Sequence, residues 1–349
     1  MNETSAAPTL AASAVEFPPH RHSQDEVTAL VSSAAGDAFT RFASSSGVRM
    51  RNLALPLERY RDLTDFTEAN AVYLDVALAL SERALREALD RARVRADEVD
   101  AIFSTTVTGL AVPTLDARLA TRVGLRPDVK RVPLFGLGCV AGAAGVARMH
   151  DYLRAYPDQV AVLVAVELCS LTIQWDDHST ANMLASSLFG DGAAAVVATG
   201  ARRAAAGPQV LASRSRLYPD TEDVMGWQIG AFGFKIVLSA DVPTVAHKYL
   251  GEDVSLFLAE FGLTPGDIGT WVCHPGGPKV IEAVEQVLDL APTALDRTRE
   301  SLRENGNLSS VSVLDVLRAT LADPPEPGSL GMMVAMGPGF CAELVLLKW

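Results

Sequence analysis

The sequence predicts a layered α/β protein in which helices cover both faces of a mostly parallel sheet. Apolar, strand-like runs alternate with helical periods along the chain, the pattern of a doubly covered sheet. The alternation starts again after residue 200, so two halves, 1–200 and 201–349, share one grammar without a visible residue-level repeat. Size agrees: 349 residues, 49% of them apolar, exceed one typical domain and can fill a large core.

Residues 1–19 are rich in Ala, Ser, Thr and Pro and read as a poorly ordered arm. Helical periodicity begins near Gln24 and returns over 73–93, where Leu and Ala recur at helical spacing against Arg and Glu. Runs at 99–105, 131–135 and 160–166 read as buried strands, with helices at 114–123 and 140–156 between them. After Gly190-Asp-Gly-Ala-Ala-Ala-Val-Val, strands are expected at 209–216, 233–238 and 270–273, and helices at 244–261, 278–288 and 309–320. Strands at 331–335 and 342–347 close the chain, and the intervening Asp323-Pro-Pro-Glu-Pro-Gly loop is too short for an interdomain linker.

The formal net charge of −12 argues against a nucleic-acid binder, whose basic residues cluster over one face. An anionic ligand must therefore meet a local basic patch, and Arg41, Arg49 and Arg51 supply one. No apolar stretch reaches bilayer length, and the N-terminus lacks a basic region followed by an apolar core, so a soluble, cytoplasmic protein is expected. Cys139, Cys169, Cys273 and Cys341 show no CxxC or Cys/His spacing, and neither a metal site nor a disulfide framework is expected.

The segment Leu134-Phe-Gly-Leu-Gly-Cys-Val-Ala-Gly-Ala-Ala-Gly carries the first chemical signal. A strand stops at glycines and a small-residue helix begins on Cys139. A thiol in the first turn of a helix faces unpaired N–H groups and the positive end of the macrodipole, which favour the thiolate. Gly136, Gly138, Gly142 and Gly145 suit a tight turn and close helix packing. A nucleophilic cysteine needs a partner, and His274 ends the apolar run Trp271-Val-Cys at a rigid Pro-Gly-Gly-Pro turn. His20, His22, His150, His178 and His247 lie in polar loops or on helix faces. Asn307, in Gly-Asn-Leu-Ser-Ser, reads alone as a helix cap. Beside an imidazole, the same amide becomes a neutral donor to a carbonyl oxygen that gains negative charge.

Cys139, His274 and Asn307 in these contexts, with Gly337-Pro338-Gly339-Phe340 near the end, resemble a type III polyketide synthase of the chalcone synthase superfamily. Val123-Gly-Leu-Arg-Pro-Asp-Val-Lys-Arg and Leu188-Phe-Gly-Asp-Gly-Ala-Ala-Ala fit the same family, and the likeness runs from about residue 41 to the C-terminus. The resemblance implies a thiolase-like, five-layered αβαβα fold of two related halves in a homodimer. It also implies coenzyme A thioesters as substrates, with no carrier protein and no permanently bound cofactor. Cys139 would carry the acyl group, while His274 and Asn307 would hold the thioester oxygen of malonyl-CoA or methylmalonyl-CoA through decarboxylation. Phe189 and Phe234 carry over as gatekeepers, and Val107, Val112, Cys169, Thr172 and the 337–339 turn as cavity positions. The plant-type enzymes tend to be polar at the first and third of these four, so a more apolar cavity is expected. Of the basic residues that grip coenzyme A phosphates in plant enzymes only Arg41 is retained; Ala38 and Ser45 stand where lysines are expected, leaving Arg49 or Arg51 to compensate.

Pro18-Pro-His-Arg-His-Ser-Gln and Leu238-Ser-Ala-Asp-Val-Pro are more similar to bacterial alkylresorcinol and alkylpyrone synthases than to the plant or tetrahydroxynaphthalene branches. That likeness implies a fatty acyl starter and closure to a resorcinol or pyrone. Two alternatives stay open. An initiating β-ketoacyl carrier-protein synthase performs one condensation, though its histidine usually stands in a His-Gln-Ala-Asn context. A non-catalytic acyl-CoA binding or scaffold subunit would need no triad. A thiolase would need a second catalytic cysteine, and Cys341 reads as a packed small residue.

Overall fold

The computed structural model describes residues 7–35, 37–231, 233–239 and 241–349. The chain opens with β1 (Thr9–Glu16) and β2 (His20–Ser23), then α1 (Gln24–Ala35) and α2 (Asp37–Ser45). β3 (Met50–Leu53) pairs back on β2, and α3 (Phe66–Ala92) starts where the Asp65 carboxylate accepts from the Glu68 N–H. Next come β4 (Ala101–Thr106), α4 (Leu115–Val123), β5 (Lys130–Phe135) and α5 (Ala141–Ala155). β6 (Val160–Leu168), α6 (Thr180–Leu188) and β7 (Asp191–Thr199) follow. The later part holds β8 (Gln209–Leu217), the hairpin β9 (Met225–Gly230) and β10 (Gly233–Leu238), α7 (Val242–Ala259) and β11 (Thr270–Cys273). It ends with α8 (Pro278–Leu288), α9 (Asp296–Asn305), α10 (Ser312–Ala322), β12 (Leu330–Gly337) and β13 (Cys341–Lys348).

Nine strands pair in the order β11-β12-β13-β8-β1-β7-β6-β4-β5. The two groups of strands meet at Thr9 and Gln209 and face each other across α5 and α10. Val146 and Ala147 of α5 and Leu314 and Leu317 of α10 share one apolar core with Leu163 of β6 and Val345 of β13. α3 covers the outer face of β1, β6 and β7, and α7 and α8 cover the outer face of β12 and β13. This is the expected thiolase-like stack of five layers.

Two expectations are corrected. Residues 9–16, read as part of a disordered arm, form the central strand β1, paired along its length with β7 and flanked by α3 and α10. Its Ala and Ser side chains are weak strand formers, yet they suit a strand with helices pressed on both faces. Residues 1–6 of that arm lie outside the described residues. The sheet is also mixed: β4 runs parallel to β5 and β6, and β11 to β12, while the β1–β7, β6–β7, β8–β13 and β12–β13 pairs are antiparallel. Continuous apolar runs report burial on two faces and carry no information about direction.

Candidate active site

Strand β5 ends at Phe135, and a tight turn over 136–140 leads to α5 with Cys139 buried inside it. Gly138 takes φ +51°, and a Cβ there would lie 2.8 Å from the Pro338 ring. A Cβ on Gly337 would in turn lie 2.7 Å from the Leu137 carbonyl and the Val140 nitrogen. The late Gly337-Pro338 segment therefore presses directly on the nucleophile turn, and only glycines permit that approach.

His274 follows β11, its N–H donating to the Val334 carbonyl at 2.9 Å. Asn307 is held by its backbone: its N–H donates to Leu188 O at 2.8 Å and its carbonyl accepts from Gly190 N–H at 3.0 Å, which clamps Phe189 between them. The Asn307 side-chain oxygen accepts from Ser309 N–H at 2.8 Å, so the amide nitrogen is the free end, with only a 3.4 Å contact to Gly276 O. Both ring nitrogens of His274 are buried without a hydrogen-bond partner among the described residues.

Cys139, His274 and Asn307 line one cavity of about 340 Å³, together with Phe189, Ser309 and Pro338. Burial pushes the Cys139 thiol up to about 12 and the His274 imidazole down to about 3. The thiolate expected from the helix start is therefore outweighed by desolvation, which favours the uncharged form of both groups. The thiol donates to Ser309 Oγ at 3.7 Å, and Ser309, held at φ +50°, donates to Glu167 Oε1 at 3.4 Å. Glu167 is fully buried at the end of β6, where Ser310 Oγ, Thr108 Oγ1 and Val107 N–H donate to it at 2.6, 2.9 and 3.0 Å. Burial raises its carboxyl to about 7.

The other expected positions separate. Phe189 lies on the wall between this chamber and a narrow space of about 30 Å³ that Cys169 and Thr172 line. Phe234 lines neither: it packs edge-on against Phe66 at 5.4 Å and Trp227 at 6.1 Å. Ile236, two residues on and paired across the hairpin with Trp227, lines both, as Trp227 does. Val107 is buried with its N–H on Glu167, and Val112 is 95% exposed, away from this chamber. Of the 337–339 turn, Pro338 reaches the cavity.

Arg51 is not available to a phosphate. Its guanidinium is buried and donates to Ser186 O at 2.7 Å, Phe189 O at 2.8 Å and Gln24 Oε1 at 2.5 Å, so it holds the Phe189 backbone from behind. The Arg49 side chain is 71% exposed and faces Glu304 at 3.7 Å, while Arg41 is exposed on α2. Ile236, Trp227, Glu167 and Ser309 went unrecognised as site residues in the sequence. For Glu167 a signal existed, since it is the one acid in the run Val-Ala-Val-Leu-Val-Ala-Val-Glu-Leu, and a charge in a buried strand needs a reason.

Comparison with known proteins decides the family. Residues 34–202 match the N-terminal domain, and residues 209–349 the C-terminal domain, of chalcone and stilbene synthases. The chain is 54% identical over 351 residues to a 1,3,6,8-tetrahydroxynaphthalene synthase of Streptomyces peucetius subsp. caesius, covering 98% of this chain and 93% of that protein. The chain belongs to the chalcone and stilbene synthase family. A putative chalcone synthase of Bacillus subtilis is 36% identical, with 86% of each chain covered. The crystal structure of 1,3,6,8-tetrahydroxynaphthalene synthase from Streptomyces coelicolor, a bacterial type III polyketide synthase, superposes with a TM-score of 0.94 at 32% identity, covering 98% of this chain and 99% of that one. As a member of this family the protein is a type III polyketide synthase, an acyltransferase whose substrates are coenzyme A thioesters.

Proposed function

We propose that the protein extends a starter by repeated decarboxylative condensation with malonyl-CoA, Cys139 carrying the chain while His274 and Asn307 hold the thioester oxygen. The observation that carries this reading is a buried imidazole with no partner among the described residues and an amide whose nitrogen has only one long bond for its two N–H groups, both opening onto the cavity of a buried thiol. In the loading step the Cys139 proton passes to His274, the sulfur attacks the acyl carbon, and coenzyme A leaves with that proton. In the extension step the bond to the malonyl carboxylate breaks, carbon dioxide leaves, and the electron pair moves onto the thioester oxygen. Two fixed donors in a dry chamber favour that enolate by several kcal/mol, on the order of two oxyanion contacts. The enolate carbon then attacks the acyl-cysteine, and the carbon–sulfur bond breaks to expel Cys139 as the thiolate, ready to take back the extended chain from its coenzyme A thioester. Residues 1–200 thus supply the nucleophile and residues 201–349 the two donors.

The relatives named as 1,3,6,8-tetrahydroxynaphthalene synthases support malonyl units throughout and closure to a fused hydroxylated aromatic. A fatty acyl starter closing to an alkylresorcinol or alkylpyrone is the second reading, favoured by the apolar wall of Leu184, Met225, Leu238, Val242 and Met336. A second copy of the chain is expected over edge strand β5, whose last residue Phe135 exposes 53% of its surface, and over the loop between β4 and α4, where Val112 exposes 95%. The enzyme incubated with labelled malonyl-CoA alone should yield a multiply extended aromatic. Turnover that requires a fatty acyl-CoA supports the second reading, methylmalonyl-CoA in place of malonyl-CoA identifies a different extender, and one condensation per starter refutes iteration.

A further inference from the structure

The mouth of the chamber carries one charged side chain. Among the described residues that line the cavity, His274 and the thiols of Cys139 and Cys273 aside, Lys279 is the sole ionisable group, in a protein of net charge −12. It is exposed, stands at the second position of α8 directly after Pro278, and has no ion-pair partner among the described residues. The Pro278 ring is placed by Gly47, where a Cβ would lie 3.1 Å away, so the start of α8 is packed against the chain just beyond α2. Ser45, the last residue of that helix, and Ser46 just after it line the same opening. Of the other cations near this face, Arg41 is exposed on α2 but does not line the cavity, Arg51 is engaged in the interior, and Arg49, Arg21 and Arg303 gather around Glu304.

The geometry points to Lys279 as a phosphate contact for the coenzyme A portion of the substrate at the entrance to the chamber. The inference rests on the coenzyme A thioester reading above and adds to it a residue and a place. A long, flexible ammonium at an opening suits a phosphate outside and cannot serve the carboxylate, which must travel inward to His274 and Asn307. Its value is local attraction in an otherwise acidic surround, strongest at low ionic strength.

Steady-state kinetics with malonyl-CoA and with the malonyl thioester of N-acetylcysteamine, which keeps the carboxylate and lacks every phosphate, test it. For Lys279→Ala the KM for malonyl-CoA should rise about three- to tenfold, the range of one charge-assisted contact at a solvent-exposed site. The KM for the truncated thioester should not change, and Lys279→Arg should restore most of the loss. Equal KM changes on both substrates, or a change on neither, would overturn the assignment. Failure of the unaltered enzyme to turn over either thioester would overturn the functional reading instead, so the two failures are separable.

Discussion

Two buried polar clusters lie on either side of Phe189 and differ in how completely their hydrogen bonds are used. Behind Phe189, Leu55 N–H donates to the Tyr60 hydroxyl at 3.1 Å, Tyr60 to Ser170 at 2.6 Å, and Ser170 to Asp191, which also accepts from Ala54 N–H at 2.7 Å and Ser170 N–H at 2.8 Å. Arg51 joins that cluster with both terminal nitrogens engaged, its Nε being the one atom there buried without a partner among the described residues. In front of Phe189, His274 has no partner among the described residues, Asn307 Nδ2 has one long bond to Gly276 O, and Cys139 has one long contact. Burial costs polar groups the same on both sides. The fuller cluster has recovered most of that cost within the fold, whereas the open one retains polar groups that an incoming molecule can satisfy.

The widest separation between the clusters should appear on comparing His274→Ala with Arg51→Met. Loss of the imidazole should lower kcat about 10²–10⁴-fold, the range of a positioned acid–base group, with the melting temperature unchanged or slightly raised. Loss of the guanidinium leaves Ser186 O, Phe189 O and Gln24 Oε1 without their buried donor and removes the nearby positive charge that favours the Asp191 carboxylate, and emptying such a buried charged site costs about 3–5 kcal/mol. Paired thermal melts and malonyl-CoA kinetics measure both. If His274→Ala destabilised the protein as much as Arg51→Met, the open cluster would be structural too.

That contrast also marks what the sequence could and could not reveal. Cys139, His274 and Asn307 were legible because each stands where a strand, a turn and glycines coincide, and local context is what a sequence displays. The roles of Arg51 and Phe234 were not, because a guanidinium looks the same whether it faces solvent or the Phe189 carbonyl. In the same way, hairpin β9–β10 offers both Phe234 and Ile236 to the interior. Strand β1 was missed for a related reason: Ala and Ser carry little strand preference, and the helices on its two faces appear only in three dimensions.

A smaller difference should appear in the pH dependence of stability. His274 is held near 3 in the fold against an ordinary value of 6.5, so the unfolded chain binds a proton below 6.5 that the folded chain refuses until about 3. The native state therefore loses stability as pH falls from 6.5 towards 3. Asp191, raised by burial to about 6 from 3.8, acts in the opposite sense, favouring the native state below 3.8 and losing that contribution as pH rises through 6. Melting temperatures of the native protein and of His274→Gln should therefore diverge below pH 6.5, with the variant falling less steeply. Parallel curves would mean that the imidazole is solvated.

The smallest effect expected is that of Tyr60→Phe, which removes one link from the fuller cluster without emptying space. Ser170 keeps its bond to Asp191, and the lost hydroxyl leaves the partly buried Leu55 N–H to find another acceptor. The cost should be about 1–2 kcal/mol, one or two net hydrogen bonds, read as a lower urea midpoint with an unchanged slope. Kinetics on malonyl-CoA should stay within about twofold, because the hydroxyl faces away from the chamber and Arg51 still holds the Phe189 carbonyl at 2.8 Å. A large drop in kcat with little change in the midpoint would show that the two clusters work as one unit, with Phe189 transmitting the state of the cluster behind it to the chemistry in front.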